Sequence, residues 1–309
     1  MGKRIALALG SGGARGYAHI GIIDELHARG HEIVGISGTS MGALVGGLSA
    51  AGVLEGYVDW VTSLTAREVL LLLDPSLKVP GAIRLQKVMS RVSALLDGAR
   101  IEDLPIPYTA VACDLVARKE VWFQRGPLDA AIRASIAIPS VISPVTVNGR
   151  LLADGGLLNP VPIAPLNALQ VDAVVAVSLA GRGGDASASI LHTTSDERST
   201  DSGFERIRRA ASQMLERDVF RRIAGGDRVA AVEDDGSPQY PTGLRTLDVV
   251  EMPLDAMQEL ITRYRLAGYA PDVLVEVPID ACGTLEFHRA GEMIALGRAL
   301  AGPALDPLD

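Results

Sequence analysis

Short apolar runs, several of them closed by glycine, alternate along this chain with longer stretches in which apolar positions return every third or fourth residue. Strands buried on both faces produce the first pattern, and helices packed on a core produce the second. Arg4–Leu9 reads as a strand, and Gly16–Arg29 as a helix with Ile20, Ile23 and Leu26 at helical spacing. Ile33–Ile36 reads as a second strand, and MGALVGGLSAAG, residues 41–52, as a buried helix. Strand, glycine turn and helix, twice in succession, predict parallel βα units with helices packed on a sheet.

Residues 55–100 read as mainly helical, with a break inside LLLLDPSLKVPG. YTAVACDL (108–115) and EVWFQ (120–124) read as strands, followed by a helix through 127–138. Leu151–Ala153 reads as a strand leading into Asp154, and VDAVVAVSLAG (171–181) as another buried strand. The composition turns polar over 182–203, after which Phe204–Ile223 has the spacing of an amphipathic helix. A helix over 254–268, a strand over 271–278 and a helix over 286–301 complete the pattern. The reading is a single α/β domain, 4–302, elaborated at about 182–246.

Composition narrows the class. The chain has 309 residues, 48% hydrophobic and 21% charged, as expected of a globular protein with a sizeable core. A net charge of −8 lacks the basic excess of a general nucleic-acid binder, so no nucleic-acid partner is expected. The two cysteines, Cys113 and Cys282, are far apart and form neither a disulfide framework nor a zinc spacing. They fit a reducing compartment. No signal-peptide pattern and no apolar stretch of membrane-spanning length is present, so the expected location is cytoplasmic, with a membrane surface still open as a working site.

Two glycine-rich turns carry the candidate chemistry. Gly38-Thr39-Ser40-Met41-Gly42 is a G-x-S-x-G placed after a strand and before a helix, the context of a nucleophile elbow. Gly38 and Gly42 leave room for the crowded bend, and the helix N-terminus favours developing negative charge beside Ser40. A serine nucleophile needs a base and an oxyanion hole. Of the histidines, His192 lies in the polar stretch and His288 in a helix-like segment, neither in the setting of a triad base. Asp154, at a strand end before Gly155 and Gly156, is the alternative base; an Asx-turn is the competing reading of that segment.

The opening turn, Gly10-Ser11-Gly12-Gly13-Ala14-Arg15-Gly16, fails two other tests. A dinucleotide loop starting at Gly10 would need glycine where Arg15 stands. A phosphate-cradling loop would need lysine after Gly16, where Tyr17 stands. An oxyanion hole needs only open backbone N–H groups, which Gly12, Gly13 and Ala14 supply in this reading, with Arg15 adding positive charge.

In order, the glycine-Arg-Gly loop, the G-x-S-x-G elbow and the late D-G-G resemble the three signatures of the patatin-like phospholipase family. The resemblance is clear over about residues 4–180. The stretch from RYRLAGYAPDVLVEVP onward is similar to bacterial patatin-like proteins and to the neuropathy target esterase catalytic domain. Counted back from Gly16, Ser11 stands where the family pattern has its first glycine. The resemblance implies a three-layer α/β/α sandwich with a largely parallel central sheet. It implies Ser40 as nucleophile, Asp154 as its dyad partner and Gly12, Gly13 and Ala14 as the oxyanion loop, with Arg15, Gly16, Gly38, Gly42, Gly155 and Gly156 completing the motifs.

The expected activity is hydrolysis of a lipid carboxylic ester, of phospholipase A or lysophospholipase type, without metal or organic cofactor. A non-catalytic adaptor that retains the fold is the rival from another class. The expected partner is a lipid or other ester substrate. For the locally basic helix 204–223, packing of its apolar stripe on the core is the first reading, with peripheral contact to a membrane surface or a lid above the site as the alternatives.

Overall fold

The first strand, RIALAL, alternates large and small side chains, and the two sets define the two faces of the sheet. In the computed structural model, which describes residues 2–72, 84–139, 141–181 and 246–309, β1 (Arg4–Leu9) is almost wholly buried. Ile5, Leu7 and Leu9 enter the main core, whereas Ala6 and Ala8 face a second cluster with Val161, Ile163 and Leu166. Small residues on the second face let a loop lie close against the strand. Burial on both faces is the expected condition of a parallel sheet.

The remaining described strands are β2 (Glu32–Thr39), β3 (Tyr108–Asp114), β4 (Lys119–Phe123), β5 (Val145–Val147), β6 (Arg150–Asp154), β7 (Ala173–Gly181) and β8 (Val273–Pro278). Their order is β5-β6-β3-β2-β1-β7-β8, with β4 also paired to β3. The five strands β3, β2, β1, β7 and β8 are mutually parallel, while β4, β5 and β6 pair antiparallel. The chain leaves β1 toward β2 and β3 and later returns to β7 on the other side of β1. That reversal places a topological switch point at the carboxyl end of β1, where open α/β sheets bind their ligands.

The helices among the described residues are α1 (Ala18–Ala28), α2 (Met41–Ala50), α3 (Leu54–Thr62), α4 (Ala66–Leu72), α5 (Gln86–Leu96), α6 (Leu128–Ser135), α7 (Thr246–Gly268) and α8 (Ala290–Leu305). Helices α1, α2 and α8 share the main core with the large residues of β1. On the opposite face, Leu266 of α7 packs on the second cluster. The molecule is therefore a three-layer α/β/α sandwich around a mostly parallel sheet. Helix α1 begins two residues later than expected, because Gly13–Tyr17 forms a separate 3₁₀ turn. Strand β2 runs three residues beyond Ile36, a difference that positions the site.

The described residues up to 181 and from 257 onward form one compact unit. The polar stretch 182–203 and the helix expected over 204–223 lie outside the described residues. Among the described residues no helix is long and apolar enough to cross a membrane.

Helices α1 and α8 approach through glycine on both sides. A side chain at Gly21 would run into the Ile294 carbonyl, and one at Gly297 into the Ala18 carbonyl. Gly302, on the same helix as Gly297, has open space around it. Gly297→Val should therefore lower stability by about 1–3 kcal/mol through overpacking. Gly302→Ala should raise it by about 0.5–1 kcal/mol. Denaturant midpoints at unchanged slope check both, and equal shifts in the two variants would refute the close-packing account.

Candidate active site

Strand β2 ends at Thr39, α2 starts at Met41, and the whole reversal falls on Ser40, with φ 57° and ψ −123°. A non-glycine residue in the left-handed region stores strain and persists only where its surroundings enforce it. Here a side chain at Gly38 would meet the Gly42 backbone, and one at Gly42 would meet the Leu9 carbonyl, so both glycines of G-x-S-x-G answer to close backbone approach. The Ser40 N–H donates to Ser135 Oγ (2.9 Å), and that hydroxyl donates to the Val111 carbonyl (2.6 Å). Ser135 thus clamps the bend to β3.

Asp154 reaches Ser40 because of how β3 is paired. Ala110 and Val111 pair with β4 on one edge and with β2 on the other. Ala112–Asp114 pair with β4 and with β6. Strands β2 and β6 therefore share one edge of β3 and meet end to end, Thr39 opposite Val111 and Asp154 opposite Ala112. Across this junction the Ser40 side chain lies close enough to the Asp154 carboxylate to favour its ionised form. Gly155, beside the Val111 carbonyl and Thr39, has no room for a side chain. The Asp154 N–H donates to the Ala137 carbonyl (2.9 Å), so the end of α6 anchors both partners.

The carboxylate sits in an unfavourable place for charge. Asp154 is 5% exposed, and burial pushes its carboxyl up to about 6 from the usual 3.8, against the nearby Ser40 side chain and the Gly156 N–H, which favour the ionised form. The Gly156 N–H lies 2.7 Å from Oδ1. So the Asx-turn and the contact with Ser40 coexist: the first aims the carboxylate, and the second uses it. A carboxyl at about 6 is half ionised near pH 6 and about nine-tenths ionised at pH 7.

The loop after Asp154 is stitched to both glycine turns through its carbonyls. Asn159 O accepts from Thr39 Oγ1 (2.9 Å), Pro160 O from the Ser11 N–H (2.9 Å), and Pro162 O from Ser37 Oγ. Gly10 N–H donates to Val177 O (3.0 Å). His19 is fully buried, and burial pushes its imidazole down to about 4. It is therefore neutral and donates from Nε2 to the Gly10 carbonyl (2.9 Å).

Two expectations about the glycine loop require correction. The Ala14 N–H is not open to a ligand, because it donates to the Thr284 carbonyl (2.9 Å). Arg15 is not a charge displayed to the site: it is buried, with Nε on Leu179 O and Nη1 on Ile279 O and Cys282 O. Its guanidinium ties the loop to the end of β7 and to the segment after β8. Gly13, at φ 57°, lies against Thr284 and could not carry a side chain. Among the described residues no protein acceptor takes the Gly12 or Gly13 N–H. Gly16 packs on Met41, which joins the loop to the start of α2.

Ser40 and Gly13 open into an apolar pocket walled by Leu44, Val61, Val69, Leu85, Ile136 and Phe287. Tyr17 and Tyr57 also line it, their rings 6.5 Å apart, and burial raises both phenols so that they stay neutral. Of the histidines, His27 and His288 are exposed and His31 is buried beside Lys3, while His192 lies outside the described residues. Ser135, Ala137 and Thr284 were not legible as site residues. Each acts through a backbone contact that only the fold creates.

A switch-point loop with free N–H groups, a strained serine and a buried carboxylate define the class of α/β protein that presents a serine to an apolar pocket. Comparison with known proteins then places the chain: it belongs to the patatin-like phospholipase family, whose model matches residues 7–167. That span runs from β1 past Asp154, and at family level it identifies a lipid ester hydrolase fold. An uncharacterized NTE family protein of Mycobacterium tuberculosis is 47% identical over 99% of this chain and 92% of its own length. The patatin-like phospholipase domain-containing protein 7 of Rattus norvegicus is 31% identical over 59% of this chain and 14% of its own. Among solved structures, VipD from Legionella pneumophila aligns over 99% of this chain and 67% of its own, at a TM-score of 0.46 and 12% identity.

The raised carboxyl gives a signed stability prediction. A carboxylate that ionises less readily in the folded than in the unfolded chain destabilises the fold above its folded value, and the penalty vanishes below its unfolded value. Asp154→Asn should therefore be more stable than wild type by about 3 kcal/mol above pH 6, the gap closing as pH falls toward 4. Paired urea titrations across this range check it. A variant less stable at pH 8 would contradict the burial of an unfavourable charge.

Proposed function

We propose that the protein is a serine lipid acyl hydrolase that uses Ser40 and Asp154 as a dyad. The observation that carries this reading is the juxtaposition of the strained Ser40 and the buried Asp154 carboxylate where β2 and β6 meet, with Ser40 lining an apolar pocket. The substrate is a carboxylic ester with an apolar acyl chain, a phospholipid or lysophospholipid, whose chain lies in the pocket.

In the first half-reaction Ser40 Oγ attacks the ester carbonyl carbon while Asp154 takes the hydroxyl proton. The N–H groups of Gly12 and Gly13, joined by the Met41 N–H at the start of α2, receive the oxyanion. The C–O bond to the alcohol breaks, and the leaving oxygen takes the proton from Asp154. Water then attacks the acyl-enzyme with Asp154 as base, releasing the fatty acid and restoring the serine. Burial supports this chemistry, since a carboxyl raised to about 6 is a stronger proton acceptor than one at 3.8, yet is still ionised at neutral pH.

Ser40→Ala and Asp154→Asn should each remove nearly all turnover of a p-nitrophenyl acyl ester, and the double variant should be no worse than either alone, because the two act as a unit. Near-normal turnover in folded Asp154→Asn would reduce Asp154 to a turn residue. Separately, Gly13→Val should lower turnover by about 100- to 1000-fold, the usual loss for one oxyanion donor. Thermal melting must be followed alongside, because Thr284 lies against Gly13. Normal turnover in a folded Gly13→Val protein would rule out the oxyanion assignment.

A further inference from the structure

Helix α5 and the segment leading into it carry two parallel stripes. Leu85, Val88 and Val92 recur at helical spacing and face inward, Leu85 and Val88 lining the pocket and Val92 fully buried. Arg84, Lys87 and Arg91 recur at the same spacing one residue earlier, with Lys87 and Arg91 exposed and Arg84 half-buried. No aspartate or glutamate occurs between 84 and 96. Helix α4 repeats the arrangement on a smaller scale. Val69 and Leu72 line the pocket, Arg67 is exposed, and Leu71 is 58% exposed. Lys87 Nζ donates to the Leu71 carbonyl (2.8 Å), which sets the exposed leucine beside the cationic stripe. The one carboxylate on these two helices, Glu68, accepts from the N–H and hydroxyl of Thr65.

Four cations against one carboxylate is an unusual local balance in a chain of net charge −8. The same two helices supply apolar wall to the pocket on the inside and charge with an exposed leucine on the outside. A cationic face with a protruding apolar residue is the pattern that seats proteins on anionic bilayers, where the cations meet headgroups and the apolar residue enters the boundary below them. An acidic protein partner would satisfy the cations but not the leucine.

We propose that the α4–α5 face, through Arg67, Leu71, Arg84, Lys87 and Arg91, docks the protein on an anionic phospholipid surface. The pocket walled by these helices is thereby brought to the bilayer that holds its substrate. For its purpose the docking rests on the lipid-ester reading, but vesicle binding is measured without turnover, on the Ser40→Ala chain, so the two can fail separately.

The test is co-sedimentation of the full chain with phosphatidylglycerol-rich vesicles and with pure phosphatidylcholine vesicles, at low and high salt. Binding should require the anionic lipid and fall with salt. Each Lys or Arg near an anionic surface is worth about 1 kcal/mol, so Arg84→Gln/Lys87→Gln/Arg91→Gln should weaken binding by about 100-fold. Leu71→Ser alone should weaken it at both salt concentrations. A control with the same charge change elsewhere, Arg118→Gln/Lys119→Gln/Arg125→Gln, should leave it near wild type. With Ser40 restored, the α5 triple variant should hydrolyse a soluble short-chain ester at the wild-type rate. The proposal is overturned if the chain does not bind anionic vesicles at low salt, if the α5 variant binds unchanged, or if the control loses as much. Should the triple variant not fold, Arg91→Glu alone, with the same expected direction, decides.

Discussion

The site depends on one constraint: two strands must abut along a single edge of β3. Because β4 occupies the other edge over Ala110–Asp114, β2 and β6 share the remaining edge, and their ends meet between Val111 and Ala112. Ser40 directly follows the end of β2, and Asp154 ends β6. Their contact is thus a consequence of strand register, and a one-residue slip of either strand would turn its terminal side chain to the opposite face. The fold fixes this register through contacts that involve no reacting atom. Ser135 holds the bend, Ala137 holds the Asp154 backbone, and the carbonyls of Asn159, Pro160 and Pro162 lock the following loop to β2 and to the first glycine turn.

The same junction explains an apparent extravagance. A left-handed serine and an ionisable carboxyl held away from water are each unfavourable locally, and both lie at one point. Such features persist where the surrounding structure over-determines them, and their coincidence supports the proposed dyad. The glycines follow the same logic. Gly38, Gly42, Gly155 and Gly13 stand where neighbouring backbone or Thr284 fills the space of a side chain, so the motif spacing records how closely three loops pack.

Much of this was legible in the sequence, for identifiable reasons. The βα repeat was readable because buried parallel strands and core helices leave different hydrophobic periods, as RIALAL and the Ile20, Ile23, Leu26 spacing show. The G-x-S-x-G turn and D-G-G were readable because local backbone crowding dictates glycine. What depends on long-range backbone contacts was not readable. Nothing near Ala14 announces that Thr284, far along the chain, takes its N–H, and nothing in Arg15 announces that three distant carbonyls engage it. Gly38 and Thr39 look like turn residues in the sequence, yet they continue β2 three residues past Ile36 up to the bend.

The central claim is that Ser40 is a nucleophile whose activation comes from the buried Asp154 carboxylate. It is tested most directly by the rate at which a fluorophosphonate acquires Ser40, followed by mass spectrometry across the pH range. Labelling should map to Ser40, rise with a midpoint near pH 6 as Asp154 ionises, level off above it, and nearly vanish in Asp154→Asn. Adduct on another residue, or a Ser40 labelling rate that ignores both pH and the loss of Asp154, would contradict the claim.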